Sequence, residues 1–130
     1  MVSTAKPVFI DANVVIEILL NRQRRRECQK MLSDPATVYY FSTLSVHLTY
    51  HFCELDNIDP RLTNTLIGQL NILPVNPSHV SLAQSRYNGK EFEDCLQAAC
   101  AELNDCDEIV TLDKTFAKIS DTKLPVYVIR

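Results

Sequence analysis

In the stretch VFIDANVVIEILL, residues 8 to 20, a charged Asp11 interrupts a run otherwise suited to burial. Val8, Phe9 and Ile10 read as a short buried strand, and Val14 through Leu20 is almost wholly apolar. A carboxylate between two core elements costs free energy unless something pairs with it. Asp113 follows a second apolar run, EIVTL, in the same way, and Asp94 stands in the first turn of the most regular helical pattern in the chain, beside Ala98 and Ala101. Like charges brought close raise one another's pKa unless a cation sits between them. An all-oxygen cluster of that kind suits Mg²⁺ or Mn²⁺.

Whether the three acids meet depends on the elements that carry them. The strand PVFI leads into a helix from about Asn13 to Leu20, and a second helix from about Arg22 to Leu32 stops at Ser33-Asp34-Pro35. TVYYF reads as a second strand. Ser42 can cap the next helix, whose stripe of Leu44, Leu48, Phe52 and Leu55 is expected to face inward. Asp59-Pro60 starts a helix ending near Leu70, NILPV is a third strand, and Asn76-Pro77 opens a helix that Asn88-Gly89 breaks. Phe92, Cys95, Leu96, Ala99, Cys100 and Leu103 define the clearest helix; EIVTL is a fourth strand, Lys114 to Lys118 a short helix or turn, and PVYVI a fifth strand.

Strands separated by helices require crossovers, which implies one α/β domain over residues 1–130: a three-layer sandwich around a mostly parallel sheet of about five strands. In such a sheet the carboxyl ends of two central strands converge where the strand order reverses, so Asp11 and Asp113 can be neighbours.

Composition narrows the function classes. Hydrophobic residues make up 46% and charged residues 22% of the 130, which leaves no case for disorder. The net charge of −3 gives no global attraction to nucleic acid or an anionic membrane, so any such contact must be local. Five cysteines, with no C-x-x-C pair, read as small core residues in a reducing cytosol. The expectation is a soluble cytoplasmic protein without a leader or a membrane span.

FIDANVVIEILL, FEDCLQAACA and IVTLDKTF together resemble the three most recognisable blocks of the PIN domain, the fold of the VapC toxins of bacterial toxin–antitoxin pairs and of related ribonucleases. The blocks stand in family order and the resemblance spans nearly the whole chain. It implies an open parallel sheet and Mg²⁺- or Mn²⁺-dependent hydrolysis of RNA, with Asp11, Asp94 and Asp113 as catalytic and metal-binding residues. Asn13 and Thr111 match supporting polar positions, and Glu93 is close enough to act as a supporting group. The resemblance also implies a homodimer and an antitoxin partner. Val14, Val15, Ile18 and Leu19, more apolar surface than one helical stripe needs, point to a hydrophobic groove beside the active site. One departure stands out. The family usually places a glutamate on the third helix, and the ungapped match, STLSVHL, puts Leu48 there.

Each aspartate also has a structural reading by itself: Asp11 or Asp113 as a helix cap, Asp94 as a complement to the helix dipole. Joint placement favours a metal site. Asp105, Asp107 and Glu108 read as solvated surface. His47, His51 and Glu54 have zinc-ligand spacing, but the apolar stripe on the other side of their helix favours a solvated face. Arg22, Arg24, Arg25 and Arg26 are candidate phosphate contacts or an exposed helix start. A phosphatase of the haloacid dehalogenase type needs a second acid where Asn13 stands, and a receiver domain needs an acid pair where FID has one. The functional alternative is a catalytically weak or inactive PIN-fold module that binds RNA or a protein partner.

Overall fold

The computed structural model describes residues 5–130 and places five strands and seven helices among them. In chain order these are β1 (Lys6–Ile10), α1 (Ala12–Leu19), α2 (Arg25–Met31), β2 (Thr37–Ser42), α3 (Thr43–Leu55), α4 (Pro60–Ile67), β3 (Asn71–Leu73), α5 (Pro77–Arg86), α6 (Phe92–Leu103), β4 (Glu108–Thr111), α7 (Phe116–Ser120) and β5 (Val126–Val128). The expected domain over 1–130 includes residues 1–4, which lie outside the described residues.

All four strand pairings are parallel, and the order is β3-β2-β1-β4-β5. The chain builds outward from β1 in one direction through β2 and β3, then returns to add β4 and β5 on the other side. The reversal falls between β1 and β4, where Ile10 pairs with Val110 and Asp11 N–H donates to the Val110 carbonyl at 2.9 Å. Asp11 and Asp113 therefore leave the carboxyl ends of adjacent central strands.

Alternation along β1 assigns the two faces. Val8 and Ile10 pack with Val14, Val15 and Phe41 in one core, while Phe9 packs with Ala98, Cys100, Ile109 and Phe116 in another. Helices cover both faces, which makes the three layers. The cysteines Cys28, Cys53, Cys95, Cys100 and Cys106 are all buried and free. Helix starts follow the sequence signals: Asp59 accepts from Arg61 N–H ahead of Pro60, and Asn76 forms a reciprocal cap with His79 ahead of Pro77. No helix among the described residues is long and apolar enough to cross a membrane.

Two expectations need correction. The second helix begins at Arg25, not Arg22, because Asn21 takes a left-handed conformation and a turn precedes the helix. On α3 the buried side is Ser45, Thr49 and Cys53, whereas Phe52 and Leu55 are 39% and 64% exposed. The reason is a polar seam. Ser42 donates to Gln97 Oε1 at 2.7 Å, Gln97 Nε2 donates to Ser45 at 2.6 Å, and Thr49 donates to the Ser45 carbonyl. Each of these groups is fully buried and satisfied, so polar residues bring α3 close to α6 without leaving an orphan donor or acceptor.

Candidate active site

Asp11 stands at the N-cap of α1 but makes no capping bond with its side chain. Its carboxylate accepts instead from the Thr111 hydroxyl at 2.8 Å. That hydroxyl in turn accepts from Asn13 Nδ2 at 3.2 Å and from Asp113 N–H at 3.0 Å, while Asn13 Oδ1 accepts from Leu112 N–H. Asn13 and Thr111 thus lock the ends of β1 and β4 together and fix Asp11 and the backbone of Asp113. The Asp113 carboxylate also turns back to accept from the backbone and hydroxyl of Thr115, so it caps its own loop as well as facing the site.

Asp94 joins them from the first turn of α6. A pocket of about 340 Å³ is lined by Asp11, Asn13, Asp94 and Asp113, together with Glu91, Glu93 and Arg22. Its α1 and α3 side is apolar: Ile16, Leu48 and Phe52. The ungapped alignment that put Leu48 at the acid position thus agrees with where the residue sits, half-buried in the wall of the pocket.

Among the described residues Arg22 is the one cation on the lining, and it is not among the groups that shift Asp11 or Asp94. Burial, reinforced by the charges of Glu93 and Asp113 and opposed by the Thr111 bond, pushes Asp11 up to about 6. Burial, then Asp11 and Asp113, pushes Asp94 up to about 7. Burial beside Glu91 also raises Glu93. Asp94 Oδ2 has no hydrogen-bond partner although the residue is only 7% exposed. A buried, unpartnered carboxylate oxygen aimed into an acidic pocket is costly unless a cation or a proton occupies the site.

Among the described residues no three acid, thiol or imidazole groups are gathered as a ready-made metal cluster. Asp11 instead bonds Thr111 and Asp113 bonds Thr115. The donor set still fits a hard divalent ion, because it is all oxygen and includes one carboxylate oxygen with no other partner.

A titration in chelator tests this electrostatic picture. Asp94 holds its proton in the folded chain well above the 3.8 of the unfolded one, so the folded state binds more protons and stability falls as pH rises toward 7. His79, whose pKa burial lowers, has the opposite sign: its neutral folded form loses stability as pH falls through its unfolded value of 6.5. The Asp94→Asn difference isolates the carboxylate. The substitution should raise the melting temperature most at about pH 8, by roughly half as much at about pH 5.5, and hardly at all below about pH 4. No gain at the higher pH would mean that Asp94 is not held under repulsion.

The remaining candidates separate clearly. Arg22 reaches the pocket, but Arg24 is committed elsewhere: its Nη1 donates to the Ile129 carbonyl at 3.1 Å and its N–H to Glu17 at 2.9 Å, clipping the start of α2 to α1 and to the residue after β5. Arg25 is half-buried and Arg26 exposed, and neither lines the pocket. His47, His51 and Glu54 are exposed, with the two imidazoles stacked 6.4 Å apart. Sequence reasoning missed Glu91, Ile16 and Phe52 as pocket residues. The acids of GKEFED were a usable signal for the first, since Glu91 precedes Asp94 by three residues at a helix start.

A family model for the PIN domain matches residues 8–121. The chain belongs to the PIN domain family. PIN domains are generally nucleases that use divalent metal ions. No curated protein matches the chain. Among solved structures, a toxin–antitoxin complex from Klebsiella pneumoniae superposes with a TM-score of 0.74 at 17% identity, covering 95% of this chain and 98% of the other. FitAcB from Neisseria gonorrhoeae matches at 0.70 and 18%, covering 92% and 96%. The sarcin-ricin-loop-cleaving toxin VapC20 of Mycobacterium tuberculosis matches at 0.70 and 15%, covering 85% and 93%. At these identities the likeness establishes the PIN fold.

Proposed function

We propose that this PIN domain is a Mg²⁺- or Mn²⁺-dependent endoribonuclease, the cytoplasmic toxin of a toxin–antitoxin pair. The observation that carries the reading is the unpartnered, buried Asp94 Oδ2 in a pocket shared with Asp11 and Asp113. The solved relatives support it, since one is a toxin that cleaves RNA and others are toxin–antitoxin complexes.

A divalent ion held by Asp11, Asp94 and Asp113 supplies an acidified water and offsets charge on the phosphate. The chain's own residues do the positioning. Thr111 and Asn13 hold Asp11 in one orientation, so little reorganisation is needed when a phosphodiester arrives. Glu93, whose charge acts on Asp11, supports the same side of the site. Arg22 is the cation on the pocket wall and is assigned to a flanking phosphate. Incubating single-stranded RNA with the protein in Mn²⁺, with and without excess chelator, tests the activity: the expected result is cutting that chelator abolishes.

Partners follow from a second surface. Val14 and Val15 are consumed by the chain's own core, but Ile18 and Leu19 remain half-buried and line a groove with Leu62 and Leu66 of α4. We assign that surface to the homodimer or the antitoxin. Sedimentation showing a monomer at high micromolar concentration would remove the dimer.

A second reading, a PIN-fold module that binds RNA or a protein without turnover, draws on the apolar α3 wall. Leu48→Glu decides how that wall matters. The added carboxylate should cost apo stability about 1–3 kcal/mol. Metal should return much of this by linkage, giving a larger Mn²⁺-induced rise in melting temperature than in wild type and equal or faster cleavage. Equal destabilisation with and without Mn²⁺ would show Leu48 to be plain core.

A further inference from the structure

The pocket is lopsided. Every carboxylate comes from the β1, β4 and α6 side, and the facing α3 wall offers only Leu48 and Phe52. Any further carboxylate from the lining must therefore come from Glu91 or Glu93, the remaining acids there.

Position separates the two. Glu91 is the N-cap of α6, and Asp94 is the third residue of that helix. N-cap and third positions are the pair whose side chains converge across a helix start, where each normally caps the other's backbone. Here neither carboxylate does so. The Glu91 carbonyl accepts from Asp94 N–H at 3.0 Å, but the Glu91 side chain makes no capping bond and, among the described residues, has no hydrogen-bond or ion-pair partner; Asp94 Oδ2 is unpartnered. Both are released from capping and face the same pocket. Glu93, two residues on, bears on both Asp11 and Asp94, whereas Glu91 holds the N-cap position that converges on Asp94.

The backbone agrees with this orientation. Glu91 is held at φ 53°, ψ 58°, a left-handed conformation that is unfavourable for a residue with a Cβ. A glycine would adopt it freely, and Gly89 stands two residues earlier. The side chain at 91 brings no compensating bond within the described residues.

We infer that Glu91 is a fourth carboxylate ligand for the divalent cation, delivered from the α5–α6 connection onto the Asp94 side of the pocket. The inference rests on the proposed metal site and deepens it, since it assigns a ligand that the three-aspartate reading leaves out.

Mn²⁺ binding to the intact chain, followed by calorimetry in the absence of RNA, tests it without any activity readout. Glu91→Gln should weaken Mn²⁺ binding about tenfold, and Asp94→Asn should weaken it more. Glu54→Gln, which removes one charge from the exposed face of α3, should bind like wild type. Glu91→Gly adds a readout that a structural role would not produce: relief of the left-handed strain should raise the metal-free melting temperature by about 2 °C while Mn²⁺ binding falls as it does in Glu91→Gln. If Asp94→Asn loses Mn²⁺ and both Glu91 variants keep it, Glu91 is not a ligand and the three-aspartate site stands. If all of these variants bind Mn²⁺ as wild type does, the metal site itself is misplaced and the Glu91 assignment falls with it.

Discussion

On the proposed function, Asp11→Asn, Asp94→Asn and Asp113→Asn are each expected to lower RNA cleavage by on the order of a hundred- to a thousandfold while leaving the fold intact. The size follows from what is removed. Each change takes away an anionic oxygen ligand for the cation, and the cation is the group that would acidify the water and offset the phosphate charge. The fold survives because none of the three carboxylates supports the core. Asp11 and Asp113 bond to hydroxyls at the sheet edge, and Asp94 Oδ2 bonds to nothing. Asparagine also fills almost the same volume. Cleavage assays at matched protein concentration, with circular dichroism to verify folding, check this. An Asp94→Asn protein that cuts at the wild-type rate would remove Asp94 from the site.

The largest stability effect lies away from the chemistry. Arg86 on α5 and Glu102 on α6 form a two-pronged ion pair, with Nη2 to Oε1 at 2.9 Å, and their side chains are only 9% and 11% exposed. Glu102 also accepts from the Thr122 hydroxyl and the Lys123 N–H, so it ties both helices to the loop before β5. Burial pushes its carboxyl up, but the bonds from Arg86 and Thr122 outweigh that and hold it below its ordinary value. Glu102→Ala leaves a buried guanidinium without a partner and should cost about 3–5 kcal/mol, a fall in melting temperature of about 10–20 °C. Replacing both residues together, Arg86→Leu with Glu102→Leu, should recover more than half of the loss because no charge then remains buried. Urea unfolding measures both. A loss under about 1 kcal/mol for Glu102→Ala would mean that the pair behaves as a solvent-screened one.

What the sequence made legible was what depends on local pattern. The alternation of apolar runs and helical spacings fixed the elements, and the crossover rule turned them into a parallel sheet. The switch-point rule then brought Asp11 and Asp113 to adjacent strands. Long-range polar pairing was not legible. Arg86 and Glu102 are sixteen residues apart on different helices, and nothing in either helix's own pattern links them. The buried face of α3 was misjudged for a related reason. Four large apolar residues recur on one side, but Gln97 on α6 offers an amide that Ser42 and Ser45 can satisfy, so the small polar side turned inward and the leucine side was left for the pocket and the surface. Arg24 shows the same limit: its partner, the Ile129 carbonyl, lies 105 residues away.

The measurement that bears most directly on the central claim is an end-group analysis of the RNA fragments released in Mn²⁺. On the proposed function, water activated at the Asp11, Asp94 and Asp113 site would displace one ester oxygen, leaving a phosphate monoester on one fragment and a hydroxyl on the other. The account predicts those ends, no 2′,3′-cyclic phosphate, and no fragments at all in chelator or from Asp11→Asn. Cyclic phosphate ends, or cutting that persists in chelator and in Asp11→Asn, would contradict it.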